Sequence, residues 1–128
     1  IGDAMVDTYL FGEVNRISPE APVPVVTLKE HENRLGGAGN VAMNIKSLGA
    51  NVSLCAVTGN DQGAVLLKKL MKKNNLDTSF IFTDKSRITS TISRIISQGQ
   101  HLMRIDHETD FEIPEVVIFP KKYPLIAG

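Results

Sequence analysis

Apolar side chains recur along this chain in two rhythms. Between Asn40 and Leu48, the residues Val41, Ala42, Ile45 and Leu48 fall on one face at a 3.6-residue period, which predicts a helix. Gly49 follows as a residue able to end that helix at positive φ. A second helix is expected after Asp61, a suitable N-cap, with Leu66, Leu67, Leu70 and Met71 as its inner stripe. Lys68, Lys69, Lys72 and Lys73 then cover the outer face, and the last two suit the negative helix end.

The other rhythm is that of strands. Ile1-Gly2-Asp3 reads as a strand end and turn, Asn51–Val57 as a buried strand, and Ser79–Thr83 as another. Val23–Leu28 is rich in β-branched residues, and Pro24 points to a sheet edge. Asn15 to Pro22 carries two prolines and is expected to be an extended loop. Thr89–Ser97 and His101–Asp106 flank Gln98-Gly99-Gln100 as a hairpin with one wet face. Val116–Phe119 is a last, short strand-like run. Strand, helix, strand, helix, strand in close succession argues an α/β fold with a parallel sheet and flanking helices. The hairpin and Val23–Leu28 are not needed for that sheet and are expected to form a separate small flap.

The length of 128 residues allows one domain with a real core. A composition of 42% hydrophobic and 22% charged residues is that of an ordinary globular chain. Fourteen Lys+Arg balance fourteen Asp+Glu, so there is no basic field for a nucleic acid partner. No apolar run approaches the roughly 18 residues of a membrane span. The single Cys55 excludes an internal disulfide and fits a reducing, cytoplasmic compartment; in the run Val52–Val57 it reads as a buried, inert thiol. The chain opens on "IGDAMVD" without an initiator Met, so an N-terminal piece is expected to precede it. His31, His101 and His107 have no spacing suited to a metal and read as surface residues.

The stretch "RLGGAGNVAMNIKSLGA", Arg34 to Ala50, contains the spacing of a dinucleotide-binding turn in Gly37-Ala38-Gly39-Asn40-Val41-Ala42. Two requirements of that turn are unmet. His31 to Leu35 is too polar for the buried strand that should lead into it, and no free acidic residue stands about 20 positions later. A different ligand satisfies the same physics. Gly36 and Gly37 let a molecule touch backbone, the open N–H groups at the helix start favour oxygen ligands, and the Asn40 amide both donates and accepts. The plain alternative is a tight turn whose glycines only let a helix pack.

Gly36-Gly37-Ala38-Gly39-Asn40-Val41-Ala42, then Gly49, Gly59 and "TGNDQG", resemble the N-terminal signature of the ribokinase-like (PfkB) carbohydrate kinases. Asp7 in "GDAMVD" matches the family aspartate that binds sugar hydroxyls. "NRISPEAPVPVV" and "QHLMRID" are most similar to the family's heptose 7-phosphate kinases of ADP-heptose (lipopolysaccharide core) synthesis, and the likeness spans about Ile1 to Glu108. The resemblance implies a Rossmann-like α/β sandwich with a small β lid, here an incomplete domain, with lid strands at about residues 10–35 and 88–106.

It further implies that Asp7, Gly36, Gly37 and Asn40 form a sugar floor. Arg16, Glu20, Arg94 and Arg104 complete the implied substrate-binding set, because arginine forks suit a sugar phosphate. Arg94 and Arg104 could instead pair with Asp106 and Glu108. The family pattern has Lys two residues before the Arg94 position, where this chain has Ile92, so phosphate recognition through that position is not carried over. ATP and Mg2+ are implied for the intact enzyme, and a homodimer through the lid strands. The later Gly-Ala-Gly-Asp motif with the family's catalytic base has no counterpart here, since the only similar string ends in Asn40. The chain therefore reads as the sugar-binding half of a kinase without its chemical half, or as a non-catalytic sugar-phosphate-binding remnant.

Overall fold

A computed structural model describes residues 1–112. The strand expected at Val116–Phe119 lies outside the described residues. In chain order the elements are β1 (Ala4–Ile17), β2 (Pro24–Gly37), α1 (Ala38–Ser47), β3 (Ala56–Thr58), α2 (Gln62–Lys73), β4 (Ile81–Thr83), β5 (Thr91–Ser97) and β6 (Gln100–His107).

Two sheets result. β3 and β4 pair in parallel across the α2 connection, as the alternation of strand and helix predicts. The larger sheet runs β2-β1-β5-β6, with β1 and β5 parallel and both outer pairs antiparallel. The expected flap strands therefore share one sheet with β1. Its hairpin turn places Gln98 at φ 50° and Gly99 at φ 76°, the two positive φ values that a two-residue type I′ connection requires.

The smaller sheet, β3 and β4, is held by α2. Asp61 caps it by accepting from the Ala64 N–H at 2.9 Å, and Leu67, Leu70 and Met71 are buried as their spacing predicts. Val6 and Leu35 bring the near end of the large sheet into the same core. Burying a side chain such as Leu67 contributes about 2 kcal/mol.

Several elements differ from expectation. β1 runs for 14 residues and takes in Asn15–Ile17, which its two prolines had placed in a loop; the bend is confined to the residues between β1 and β2. β2 continues well past Leu28 to Gly37. A strand does lead into the glycines, but it is an exposed edge strand antiparallel to β1 rather than the buried parallel strand of a dinucleotide turn. β3 and β4 are each cut to three residues. On α1 only Gly39 and Ala42 are buried, while Val41, Ile45 and Leu48 are exposed. With Ile1, Val52 and Leu54, the first two of these line an open apolar groove, so of the predicted inner stripe only Ala42 is covered among the described residues. Cys55 is half-buried, one position off the core-facing Leu54 and Ala56.

Candidate functional site

The turn between β2 and α1 is fixed by backbone geometry. Gly37 sits at φ 54°, where an L side chain is strained, and it hands the chain directly into the helix. The Ala38 N–H donates to the Asp3 carbonyl at 2.8 Å. α1 has no side-chain cap and no acidic residue in its first turn, so its remaining leading N–H groups are open to an oxygen ligand. Gly36 faces Met5 across the ladder, and a Cβ there would stand 2.7 Å from Met5 Cγ and 3.4 Å from Asp7 Cβ. The missing side chain keeps open the space beside the Asp7 carboxylate.

That space belongs to an open cleft of about 670 Å³ between the large sheet and the α1 start and α2 end. Asp7, Gly36, Gly37, Asn40 and Arg94 all line it. Strand alternation explains the wall: Asp7 and Tyr9 point to one face of β1, and their register partners bring Arg34, Glu32 and Arg94 to the same face. Arg94 Nε donates to Asp7 Oδ1 at 2.8 Å, with side chains 25% and 14% exposed, and the Tyr9 hydroxyl donates to Asp7 Oδ2 at 3.3 Å. The hydrogen bond to Asp7, opposed by burial, holds the Arg94 guanidinium above its usual range.

Three predicted site residues are not brought in. Arg16 lies nine residues beyond Asp7, about 30 Å along the extended strand. Glu20 is exposed in the bend, its backbone N–H donating to Ser18 Oγ. Arg104 follows Arg94 in register but pairs with Asp106 at 2.8 Å on its own strand, one of the two pairings its position allows. Conversely, Tyr9, Glu32, Arg34 and Lys73 line the cleft without having been singled out. Stepping two residues from Asp7 reaches Tyr9, and stepping back from Gly36 reaches Arg34 and Glu32; the period of a strand is the signal that finds them. Lys73, placed on the outer helix face by its spacing, turns instead toward the cleft rim. The three histidines are exposed.

A second group joins the turn between β3 and α2 to the large sheet. Asp61 Oδ2 accepts from the Thr89 N–H at 2.8 Å, and Thr89 Oγ1 accepts from the Gly59 N–H at 3.0 Å. Burial pushes the Asp61 carboxyl up, but hydrogen bonds from Thr89, Ala64 and Gly63 outweigh it and hold the group below the usual carboxylate range. This clamp fixes the chain just before β5, the strand that carries Arg94.

The pfkB family carbohydrate kinase pattern matches residues 1–112, which include the glycine-opened helix and the held carboxylate. The chain belongs to that family. It is 51% identical over 111 residues to the "Bifunctional protein HldE" of Histophilus somni and 48% identical over 108 residues to that of Helicobacter pylori. These matches cover 87% and 84% of this chain but only 23% of each relative, so the chain spans about a quarter of their length. Among solved structures, a carbohydrate kinase from Agrobacterium tumefaciens superposes with a TM-score of 0.64 at 21% identity, over 82% of this chain and 33% of that one. The ribokinase from Thermotoga maritima gives 0.61 at 19%, over 83% and 34%. The fold is thus the α/β ribokinase fold, of which this chain is a part.

Proposed function

We propose that this chain is the sugar-binding part of an ATP-dependent carbohydrate kinase that phosphorylates heptose 7-phosphate at its anomeric hydroxyl. The observation that carries this reading is the convergence of Asp7, Gly36, Gly37 and Asn40 on one cleft. Asp7 accepts from sugar hydroxyls, each such charged hydrogen bond contributing about 1.5–3 kcal/mol. The glycines let the ring rest on backbone, and the Asn40 amide donates and accepts beside it. β1, β2, β5 and β6 act as the lid that excludes water above the sugar. The likeness of "NRISPEAPVPVV" and "QHLMRID" to the heptose 7-phosphate kinases of the family favours that sugar over others.

ATP and Mg2+ serve the intact enzyme. Among the described residues no group of three or more His, Cys, Asp or Glu is placed to hold a metal. What this chain contributes is positioning: it binds and orients the acceptor hydroxyl. The face of the sheet opposite the cleft carries Leu10, Ile95 and Met103 in one row with Ile105 beside them, and this row pairs with a second copy in a homodimer. Among the described residues no helix is long and apolar enough to cross a membrane. Asn40→Ala in the intact enzyme should raise the KM for the sugar; an unchanged KM removes Asn40 from the site. The 128-residue chain alone is expected not to turn over, and ATP-dependent heptose phosphorylation by it would overturn that part of the reading.

A further inference from the structure

Tyr9 lies between two guanidinium groups. The Arg34 Cζ is 4.3 Å from the ring centroid and the Arg94 Cζ 5.8 Å. Register produces the pair: Glu32, Tyr9 and Arg94 form one row across three strands, and Arg34, Asp7 and Ile92 form the next. The two arginines are held very differently. Arg94 is committed to Asp7 in a largely sheltered ion pair. Arg34 pairs with Glu32, two residues away on the same edge strand, at 2.6 Å with side chains 51% and 48% exposed. An exposed pair of that kind contributes little and exchanges readily. A guanidinium fork matches phosphate oxygens two at a time, and a phosphate carries more charge than the carboxylate it would displace.

Position completes the picture. Arg34 stands two residues from Gly36, about 7 Å along the strand, which is the reach of a short polyol chain from the glycine floor. The Arg34 hydrogen bond, opposed by burial and helped by the charges of Arg34 and Lys73, holds the Glu32 carboxyl below its usual range. Lys73 therefore adds positive charge to the same corner of the cleft.

We propose that Arg34, braced on the Tyr9 ring, is the residue that recognises the phosphate of the substrate, with Glu32 occupying its fork until the phosphate arrives. This rests on the sugar-phosphate reading of the cleft given above.

The test is calorimetric titration of the full chain, without ATP, with heptose 7-phosphate and in parallel with the unphosphorylated heptose. Wild type should bind the phosphate ester about ten-fold more tightly or better, the yield of one charge-assisted fork. Arg34→Gln should abolish that preference and leave affinity for the unphosphorylated sugar unchanged within about two-fold. Arg34→Lys should recover part of it, and Glu32→Gln should tighten the phosphate ester alone. A preference retained in Arg34→Gln, or equal weakening of both ligands, overturns the assignment of Arg34 while leaving the sugar site standing. A wild-type chain that binds neither ligand overturns the sugar-phosphate reading, and the role of Arg34 with it.

Discussion

Arg94 Nε donates to Asp7 Oδ1 at 2.8 Å, so the carboxylate of the cleft is held by a residue 87 positions further along the chain. The parallel pairing of β1 with β5 makes this possible, since Tyr9 opposes Arg94 and Asp7 is the same-face neighbour of Tyr9. We propose that Arg94 is thereby a positioning residue that aims the Asp7 carboxylate.

That relationship is measurable as a coupling. Asp7→Asn and Arg94→Gln should each destabilise the chain slightly, and the double variant should lose less than their sum. For a largely sheltered pair the expected interaction is about 1 kcal/mol in urea unfolding. Strict additivity would mean that the pair does not hold the carboxylate.

The turn glycines should separate by geometry. Gly49 sits at φ 88° with open space around it, so Gly49→Ala should cost only the conformational penalty of about 1 kcal/mol. Gly37, at φ 54°, also packs against the Asp3 carbonyl, which a Cβ would overlap. Gly37→Ala should therefore cost more than about 3 kcal/mol and displace the start of α1. Equal melting temperatures for the two variants would contradict this account of the turn.

Acid should weaken the clamp at the root of β5. The Asp61 carboxyl is held below its usual range in the folded chain, so its contribution to stability is complete above the unfolded value of about 3.9. That contribution disappears as pH falls below that value and through the lowered folded one. Asp61→Ala, which removes both the α2 cap and the Thr89 partner, should cost about 2 kcal/mol at pH 7 and flatten the acid limb of the unfolding profile. An unchanged acid limb would exclude Asp61 as its source.

The row opposite the cleft makes a prediction about assembly. Met103 is 59% exposed and Ile105 51% exposed on strand β6. Met103→Lys with Ile105→Lys should convert a dimer to a monomer in sedimentation without lowering the unfolding midpoint of the chain. A wild-type monomer would contradict pairing through this face.

What could be read from the sequence follows where burial is one-sided. Leu67, Leu70 and Met71 repeat at helical spacing because one face of α2 is buried, and Asp61 announces the helix by its capping chemistry. β2 was legible only in its first residues. From Lys29 to Arg34 it is an edge strand wet on both faces, so no alternation marks it, and its length is set by pairing with β1. Val41, Ile45 and Leu48 show the reverse case: the period is helical, the helix forms, and the apolar stripe nonetheless stays uncovered. In the site, the glycines, Asn40 and Asp7 carry a recognisable motif. Tyr9, Glu32 and Arg34 carry no motif: strand period puts them on the faces of Asp7 and Gly36, but only the register of β1 with β2 brings those two faces together.

The most direct test of the central claim is the affinity of the chain for heptose 7-phosphate, without nucleotide, in wild type, Asp7→Asn and Asn40→Ala. Loss of a hydroxyl-binding group predicts binding by wild type and at least about ten-fold weaker binding by each variant. Absence of binding by wild type, or equal affinity in all three, would contradict the assignment of this cleft to a sugar.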